Sequence, residues 1–399
     1  MTPSLVVENA RTEAGEIVSL ILENDRIAAI GPNAAAGIGP AAVPRFDAAG
    51  GLLSLPFVDG HIHLDKTLIG LPFIPHIPGD TVAMRIEAEK SLRRTVALPI
   101  EVRGGALLER LAAYGTLSVR SHVDIDTEVG LKGLEAVLSL KQSHGHLVEI
   151  QTVAFPQSGV LRDPGTAGLL DAAIAAGADL VGGLDPAGID NDVTGHLDAI
   201  FAVAGKYGVG LDIHLHDGGA LGAFELRQIA DRTVALGLEG KVVVSHAFCL
   251  GELEDADFGS TAAALARSGV AIMTSAPGPV PMPPVKRLAA AGVRLFCAND
   301  NIRDAWSPFG NGDMLERVGI LCDRQDFRAD EDLAAAFRLA TEAPAEILGR
   351  PVGPLQAGSP ANFVILPAAS LAEAVAVRPL DRTVFRGGAI IARNGRLVV

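Results

Sequence analysis

Two histidines, His61 and His63, stand one residue apart at the end of an apolar run, in the stretch VDGHIHLDKT at residues 58–67. In an extended chain, residues i and i+2 point to the same face, so both imidazoles can reach one point. Imidazole nitrogen is a common ligand of divalent transition metals. The pair therefore suggests a metal site, and this hypothesis requires further ligands from elsewhere in the chain.

Similar polar residues end apolar runs along the rest of the chain. They are His122 and Asp124 in SHVDID, Gln157 in VAFPQ, Asp185 in LDP, His214 and His216 in HLHD, His246 in VSHAF, and Asp300 in CAND. Packing alone explains one such residue but not its repetition after successive runs. In a parallel barrel the functional groups lie at the carboxyl ends of the strands. We therefore expect these residues to meet at one rim.

Four of these residues are a suitable ligand set for zinc or ferrous iron: His61, His63, His214 and Asp300. Both metals accept neutral imidazole nitrogen and carboxylate oxygen, and a catalytic site leaves a position for water. The runs that end in VAFPQ and GGLDP carry neither a lysine nor a glutamate at the tip to bridge two metals. The sequence therefore predicts one divalent metal ion, Zn or Fe.

The elements that must position these residues are short apolar runs that alternate with amphipathic stretches. Eight such runs extend from LSLPFVDGHIH to GVRLFCAND, and between them lie predicted helices at 165–177, 193–207, 220–237, 259–268 and 284–292. This alternation indicates parallel strands covered by helices, and eight strands close a (β/α)8 barrel. An open doubly wound sheet is the alternative, but no Gly-x-Gly-x-x-Gly loop follows the first strand.

Both ends of the chain differ from this middle, because they contain short strands broken by turn residues. The last forty residues include a strong hairpin signal at Asn394-Gly395. We predict an α/β protein in which residues 1–52 and 351–399 together form a small β-sandwich domain and residues 53–350 form the metal-dependent barrel. The connection 68–115 is long enough to serve as a lid over the rim.

Composition argues against several classes of partner. The 399 residues carry 33 basic and 47 acidic side chains, a formal charge of −14, without a basic cluster that would bind nucleic acid or an anionic membrane. The sequence shows no secretory signal pattern and no apolar stretch long enough to span a bilayer. Its three cysteines lie far apart and form no Cys-x-x-Cys pair. We expect a cytoplasmic protein that acts on a small molecule.

These motifs resemble the amidohydrolase superfamily, whose pattern is HIH after strand one, histidines after strands five and six, and an aspartate after strand eight. FVDGHIHLDKT, VAFPQSGV, VSHAF, DNIRDAWSPFGNGDML and GSPANFVILPA are similar to the branch of cytosine deaminase-like and N-isopropylammelide amidohydrolase-like enzymes. The resemblance implies a mononuclear Zn or Fe site, a β-domain split between the termini, and a homo-oligomer.

The stretch HLHDGG looks more like the second group of that branch. Cytosine deaminase has a glutamate shortly after the strand-five histidine, which is absent here, whereas in the second group a histidine two residues on takes the acid/base role. The resemblance therefore assigns this role to His216. Matching positions and the amide chemistry of glutamine suggest five substrate contacts: Lys66, Gln157, Asp185, Asn301 and Trp306.

Together these assignments predict hydrolytic removal of ammonia or an amine from an exocyclic C–N bond of a small N-heterocycle: a pyrimidine, pterin, triazine or related ring. Asp300 would act as the base, His246 would orient the water or the oxyanion, and His216 would protonate the leaving nitrogen. Hydrolysis of a cyclic or linear amide on the same metal site is one alternative. A non-catalytic, metal-stabilised binding protein is another.

Overall fold

Two β-sheets organise the chain. The computed structural model describes residues 4–39, 42–350 and 352–398. The N-terminal residues supply five strands of the first sheet: β1 (Leu5–Arg11), β2 (Ile17–Glu23), β3 (Arg26–Gly31), β4 (Arg45–Asp47) and β5 (Leu52–Ser54). In β2 every second residue is buried, namely Val18, Leu20 and Leu22. This period of two is expected of a sheet with one covered face.

The second sheet is a parallel barrel with one strand for each predicted apolar run. Its strands are β6 (Phe57–Ile62), β7 (Thr116–Asp124), β8 (Glu149–Phe155), β9 (Leu180–Leu184), β10 (Gly210–Leu215), β11 (Val242–His246), β12 (Ala271–Thr274) and β13 (Leu295–Cys297). Each strand pairs with the next along the chain. An isolated parallel bridge joins Ile62 to Asp300, and the Asp300 N–H donates to the His61 carbonyl at 2.8 Å. The last strand thereby meets the first, and the predicted (β/α)8 architecture is confirmed.

Most of the helices cover the outside of this barrel. They are α1 (Val82–Arg93), α2 (Ile100–Ala113), α3 (Lys132–Ser143), α4 (Thr166–Ala175), α5 (Val193–Tyr207), α6 (Gly219–Ala235), α7 (Asp255–Ser268), α8 (Val285–Ala290), α9 (Met314–Arg324), α10 (Asp330–Arg338), α11 (Glu342–Ile347) and α12 (Leu371–Val377). Helices α4 to α8 are the five predicted ones. Within the described parts of the chain, no helix combines the length and apolarity needed to cross a bilayer.

The C-terminal residues complete the first sheet. They form β14 (Phe363–Leu366), β15 (Thr383–Arg386), β16 (Ala389–Arg393) and β17 (Arg396–Leu397). Strand β14 pairs antiparallel with β5, which joins the two ends of the chain as predicted. The β16–β17 hairpin turns at Asn394 and Gly395, whose φ angles of 52° and 69° suit a type I′ turn.

The predicted segment boundaries, 1–52, 53–350 and 351–399, stay a proposal. Residues 1–3, 40, 41, 351 and 399 lie outside the described residues. Strand β5 crosses the boundary between 52 and 53, and it pairs with β14 in the sheet formed by the termini.

A buried ion pair links the C-terminal segment to the barrel. The Arg382 guanidinium is fully buried and donates to both carboxylate oxygens of Asp313, at 2.8 and 2.6 Å. Replacing Arg382 with Met leaves a buried carboxylate unpaired, so we expect the free energy of unfolding to fall by about 3–5 kcal/mol. Urea unfolding would measure this. The control is Arg267→Met on the exposed face of α7, where a change within about 0.5 kcal/mol is expected; equal midpoints for both variants would contradict the prediction.

Candidate active site

The predicted polar residues meet at the carboxyl ends of the barrel strands. Asp185 follows β9, His246 ends β11 and Asp300 follows β13. All three have positive φ angles, of 36°, 75° and 64° respectively. Such angles are uncommon for residues other than glycine and persist where the surrounding structure imposes them, often at functional sites. Backbone strain at three strand ends therefore marks this rim as the candidate site.

Ligand atoms of His61, His63, His214 and Asp300 lie within 4.8 Å of one another. The Nε2 atoms of His61 and His63 are 3.5 and 3.3 Å from Asp300 Oδ1. Among the described residues, His61 Nε2 and both ring nitrogens of His214 are buried without a hydrogen-bond partner. Buried polar atoms left unpaired are costly, and a bound cation would satisfy the unprotonated nitrogen of each ring. The donor set therefore fits a divalent metal ion.

The protonation states in this group also suit a metal. Burial, together with the nearby Lys66 charge, lowers the pKa of His63 to about 3, and burial holds the pKa of His214 well below its usual range. Burial raises the pKa of Asp300, but the adjacent His61 and His63 rings outweigh it and the pKa lies well below its usual range. Neutral imidazoles and an ionised carboxylate are the forms that bind metals.

Ser245 and Asp212 orient the His61 ring through its Nδ1 atom. Ser245 Oγ lies 2.9 Å from His61 Nδ1 and donates its own proton to Asp212 Oδ1 at 2.9 Å. Because the serine proton is used on Asp212, Ser245 accepts the Nδ1 proton, and His61 Nε2 is left as the acceptor towards the cluster. Inspection of the sequence does not reveal this chain of contacts, since Ser245 and Asp212 lie within buried strands and form no motif.

His216 is held in place by Asp185. The Asp185 carboxylate accepts a hydrogen bond from the His216 backbone N–H and lies 2.9 Å from its Nδ1. The His216 ring stacks on His246 with 4.5 Å between the ring centroids. Burial lowers the pKa of His216, but the Asp185 carboxylate more than offsets this, so the pKa is raised. The predicted substrate contact Asp185 therefore lies against the predicted proton donor.

Lys66 organises one wall of the site. Its Nζ atom is 3.2 Å from Glu89 Oε2 and 3.0 Å from Asp124 Oδ1, and it also donates to Gln157 Oε1. Lys66 thus donates hydrogen bonds to Glu89 and Gln157 and forms an ion pair with Asp124. Gln157 thus turns its carbonyl oxygen towards Lys66. Its buried Nε2, which has no hydrogen-bond partner within the described ranges, is left to donate to a bound molecule.

Glu89, on helix α1, is a site residue that inspection of the sequence did not single out. Its buried carboxylate accepts hydrogen bonds from Lys66 and from the indole N–H of Trp306. The connection 68–115 thereby brings α1 onto the rim. Glutamates are usual on the exposed face of a charged helix, so the residue type gave no signal of its burial.

A cavity of about 540 Å³ opens at this rim. Apart from His61 and Asp185, all the predicted site residues line it: His63, Lys66, Gln157, His214, His216, His246, Asp300, Asn301 and Trp306. Phe155, Leu184 and Phe248 add apolar surface. A concave apolar pocket with a few convergent polar groups is typical of a small-molecule site.

A model of the amidohydrolase family matches residues 104–391. The chain belongs to the amidohydrolase family. N-isopropylammelide isopropyl amidohydrolase of Pseudomonas sp. (strain ADP) is 33% identical to this chain. The alignment covers 99% of this chain and 98% of that relative. This confirms the predicted family and branch, and the family implies a metal site.

Two solved structures are similar to this amidohydrolase over nearly the whole chain. N-isopropylammelide isopropylaminohydrolase from Burkholderia multivorans ATCC 17616 is 44% identical, with a TM-score of 0.94 and full coverage of both chains. 5-Methylcytosine deaminase from Klebsiella pneumoniae, liganded with 5-fluorocytosine, is 28% identical, with a TM-score of 0.85 and 97% coverage of each chain. The amidohydrolase is thus an enzyme that hydrolyses C–N bonds other than peptide bonds, and the alternative of a non-catalytic binding protein loses its support.

Proposed function

We propose that this amidohydrolase removes ammonia or an amine from an exocyclic C–N bond of a small N-heterocycle, such as a pyrimidine, pterin or triazine. The observation that carries the proposal is the convergence of the four candidate metal ligands and the His216–Asp185 pair at one rim. The names of the relatives, which refer to N-isopropylammelide and 5-methylcytosine, support this substrate class.

One divalent metal ion, Zn or Fe, would be held by His61, His63, His214 and Asp300. When bound, it would lower the pKa of a water ligand and polarise the electrophilic carbon. A second group of nearby ligand atoms comprises His61, His122 and Asp212. Asp212, however, already pairs with the Arg120 guanidinium at 2.8 Å. A cation is therefore already present there, which supports a single metal.

Three side chains would move or hold protons. The ionised Asp300 carboxylate accepts the proton of the attacking water. His246, whose ring nitrogens are buried without a partner in the described part of the chain, donates a hydrogen bond to the water or the developing oxyanion. His216 protonates the leaving nitrogen, a step that typically contributes about 10²–10⁴-fold to the rate. The amine then departs while the ring stays closed.

Recognition would fall to Gln157 and Trp306. Gln157 would present its unpaired amide N–H₂ to a ring carbonyl or ring nitrogen, and Trp306, which lines the same cavity, would stack its indole on the heteroaromatic ring. The other three predicted contacts hold neighbouring groups: Lys66 fixes Gln157, Asp185 fixes His216, and Asn301 Nδ2 donates to Asp304 at 2.7 Å. We propose that these three position the site.

An assay of amine and ammonia release would test the proposal. Metal-replete protein is mixed with amino-pyrimidines, pterins and N-alkyl aminotriazines, and a chelator-treated sample serves as the control. Release from at least one ring class, lost on chelation and restored by Zn or Fe, is the expected result. If protein with bound metal releases no amine or ammonia from any compound of the panel but hydrolyses cyclic amides, the amide alternative is favoured.

Glu89→Gln tests how the α1 contact supports this chemistry. The substitution keeps the shape but removes the charge that holds Lys66, so Gln157 and Trp306 lose their fixed positions. We expect kcat/KM to fall by about 10- to 100-fold with the metal content unchanged, since small misplacements of positioning groups have effects of this size. Trp306 is the single tryptophan, so its fluorescence reports the change directly.

The matched control for this variant is Glu87→Gln on the same helix. The Glu87 side chain is 73% exposed, and its carboxylate lies 3.6 Å from Lys90 Nζ. We expect its kcat/KM and its tryptophan emission to equal those of the unsubstituted protein. A Glu89→Gln variant with the same kinetics as this control would show that the α1 contact has no part in catalysis.

We also propose a cytoplasmic location and a homo-oligomeric state. Cys249, Cys297 and Cys322 are buried and free, which suits a reducing compartment. The oligomeric state follows from the family resemblance alone, and light scattering on the purified protein would measure it.

A further inference from the structure

The cavity has an outer part whose charges the proposed chemistry does not use. Three arginines line it, Arg85 from helix α1 and both Arg317 and Arg324 from helix α9. Two helices far apart in the sequence thus bring three guanidinium groups to one cavity. Asp80 and Glu316 also line it.

These arginines retain most of their hydrogen-bond donors. Each donates to one backbone carbonyl oxygen: Arg85 Nε to Gly79 at 2.8 Å, Arg317 Nη1 to Ser275 at 2.8 Å, and Arg324 Nη2 to Val280 at 2.6 Å. A guanidinium has five N–H donors. Within the described ranges, no carboxylate lies within 4.0 Å of any of the three groups, Asp80 and Glu316 included. The three arginines therefore line the cavity without a carboxylate partner among the described residues.

Arg317 gives the most specific indication. It is partly buried, and its Nε atom is buried without a hydrogen-bond partner in the described part of the chain. Its neighbour Glu316 uses its carboxylate to accept the Asn311 amide. Leaving such a donor unpaired costs free energy that a bound acceptor would recover. Carboxylates suit this role because they accept two parallel N–H bonds from one guanidinium.

We infer that the substrate carries an anionic group, a carboxylate or a similar oxyanion, outside its reacting ring. The inference rests on the proposed function, because it places the ring at the candidate metal ligands and the acid at Arg317, with Arg85 and Arg324 nearby. The cavity of about 540 Å³ falls within the range that accommodates a ring with a substituent. Unpaired positive charge in a cleft also attracts anionic ligands before they bind.

Two matched pairs of compounds test this inference. One pair is pterin-6-carboxylate and its carboxamide, and the other is a triazine whose exocyclic amine carries a carboxymethyl or a carbamoylmethyl group. The preference of the metal-loaded enzyme is the acid-to-amide ratio within a pair. It is measured from Kd for compounds that are not hydrolysed and from kcat/KM for those that are. In at least one pair we expect the acid to be favoured by about 10- to 100-fold, the range of a charge-assisted hydrogen bond.

Variants identify the source of this preference. Arg317→Gln should remove most of it, read as the ratio between acid and amide within the same variant. Arg324→Gln, an exposed site where misfolding is not a concern, should reduce it by a smaller factor. The control is Arg267→Gln on α7, outside the cavity, which should change nothing.

The outcomes separate this inference from the proposed function. Equal affinity for acid and amide in both pairs, or an acid preference that survives in Arg317→Gln, would overturn the inference even if amine is released. An acid preference that depends on Arg317, with no amine released from any compound, would uphold the anion site and count against the proposed function.

Discussion

Replacing Asp300 with Asn is expected to lower kcat for amine release by about 10²–10⁴-fold, the range reported for the loss of a general base. The amide cannot take the proton of the attacking water, and it is a poorer ligand for the cation. We expect the metal content to fall as well. The fold should persist, because asparagine tolerates the positive φ of 64° at this position.

Three measurements on one preparation check this prediction: kcat, bound metal and the circular dichroism spectrum. Asp323→Asn on helix α9 is the matched control, since its carboxylate is 80% exposed, and it should behave like the unsubstituted enzyme. An Asp300→Asn enzyme that keeps more than a tenth of its activity would show that Asp300 is not the base of the reaction. Loss of the native spectrum would require the same test with Asp300→Glu.

His216→Ala is expected to lower kcat by about 10²–10⁴-fold while the bound metal is retained. The imidazole is placed to protonate the leaving nitrogen, and it is not among the four grouped ligands. Asp185→Asn removes the charge that orients this ring, at 2.9 Å from its Nδ1. A smaller loss, of about 10-fold, is therefore expected for Asp185→Asn, since it disturbs the position of a group it does not remove.

The double variant separates positioning from direct action. If Asp185 acts through His216, the Asp185→Asn/His216→Ala enzyme should be no slower than His216→Ala alone, because residues that act as a unit are not additive. If kcat of the double variant falls by the product of the two single factors, Asp185 contacts the substrate independently, as predicted from the sequence. A small effect of His216→Ala on kcat would show that another group protonates the leaving nitrogen.

The barrel and its rim could be predicted from the sequence because their signals are local. Buried parallel strands are continuously apolar, so a polar residue such as His214 at a strand end is conspicuous. The i, i+2 spacing of His61 and His63 follows from the pleat of one strand. The Asn394-Gly395 turn is likewise encoded in two adjacent residues.

The contacts that support the rim could not be predicted, because they depend on where distant segments pack. Glu89 reaches Lys66 and Trp306 only because helix α1 folds back over the strand ends. Ser245 and Arg317 lie in an ordinary strand and an ordinary helix, and their partners are 184 and 42 residues away in the sequence. Residue type alone does not distinguish such positions from a solvated surface or a packed core.

Hydrolysis in H₂¹⁸O, followed by mass spectrometry of both products, tests the central claim most directly. The metal-loaded enzyme is incubated with whichever amino-heterocycle it converts. Attack of water on the ring carbon that carries the exocyclic nitrogen predicts one ¹⁸O atom in an intact ring product and an unlabelled amine or ammonia. A ring-opened product with ¹⁸O in a new carboxylate would contradict exocyclic C–N cleavage and assign the site to amide hydrolysis.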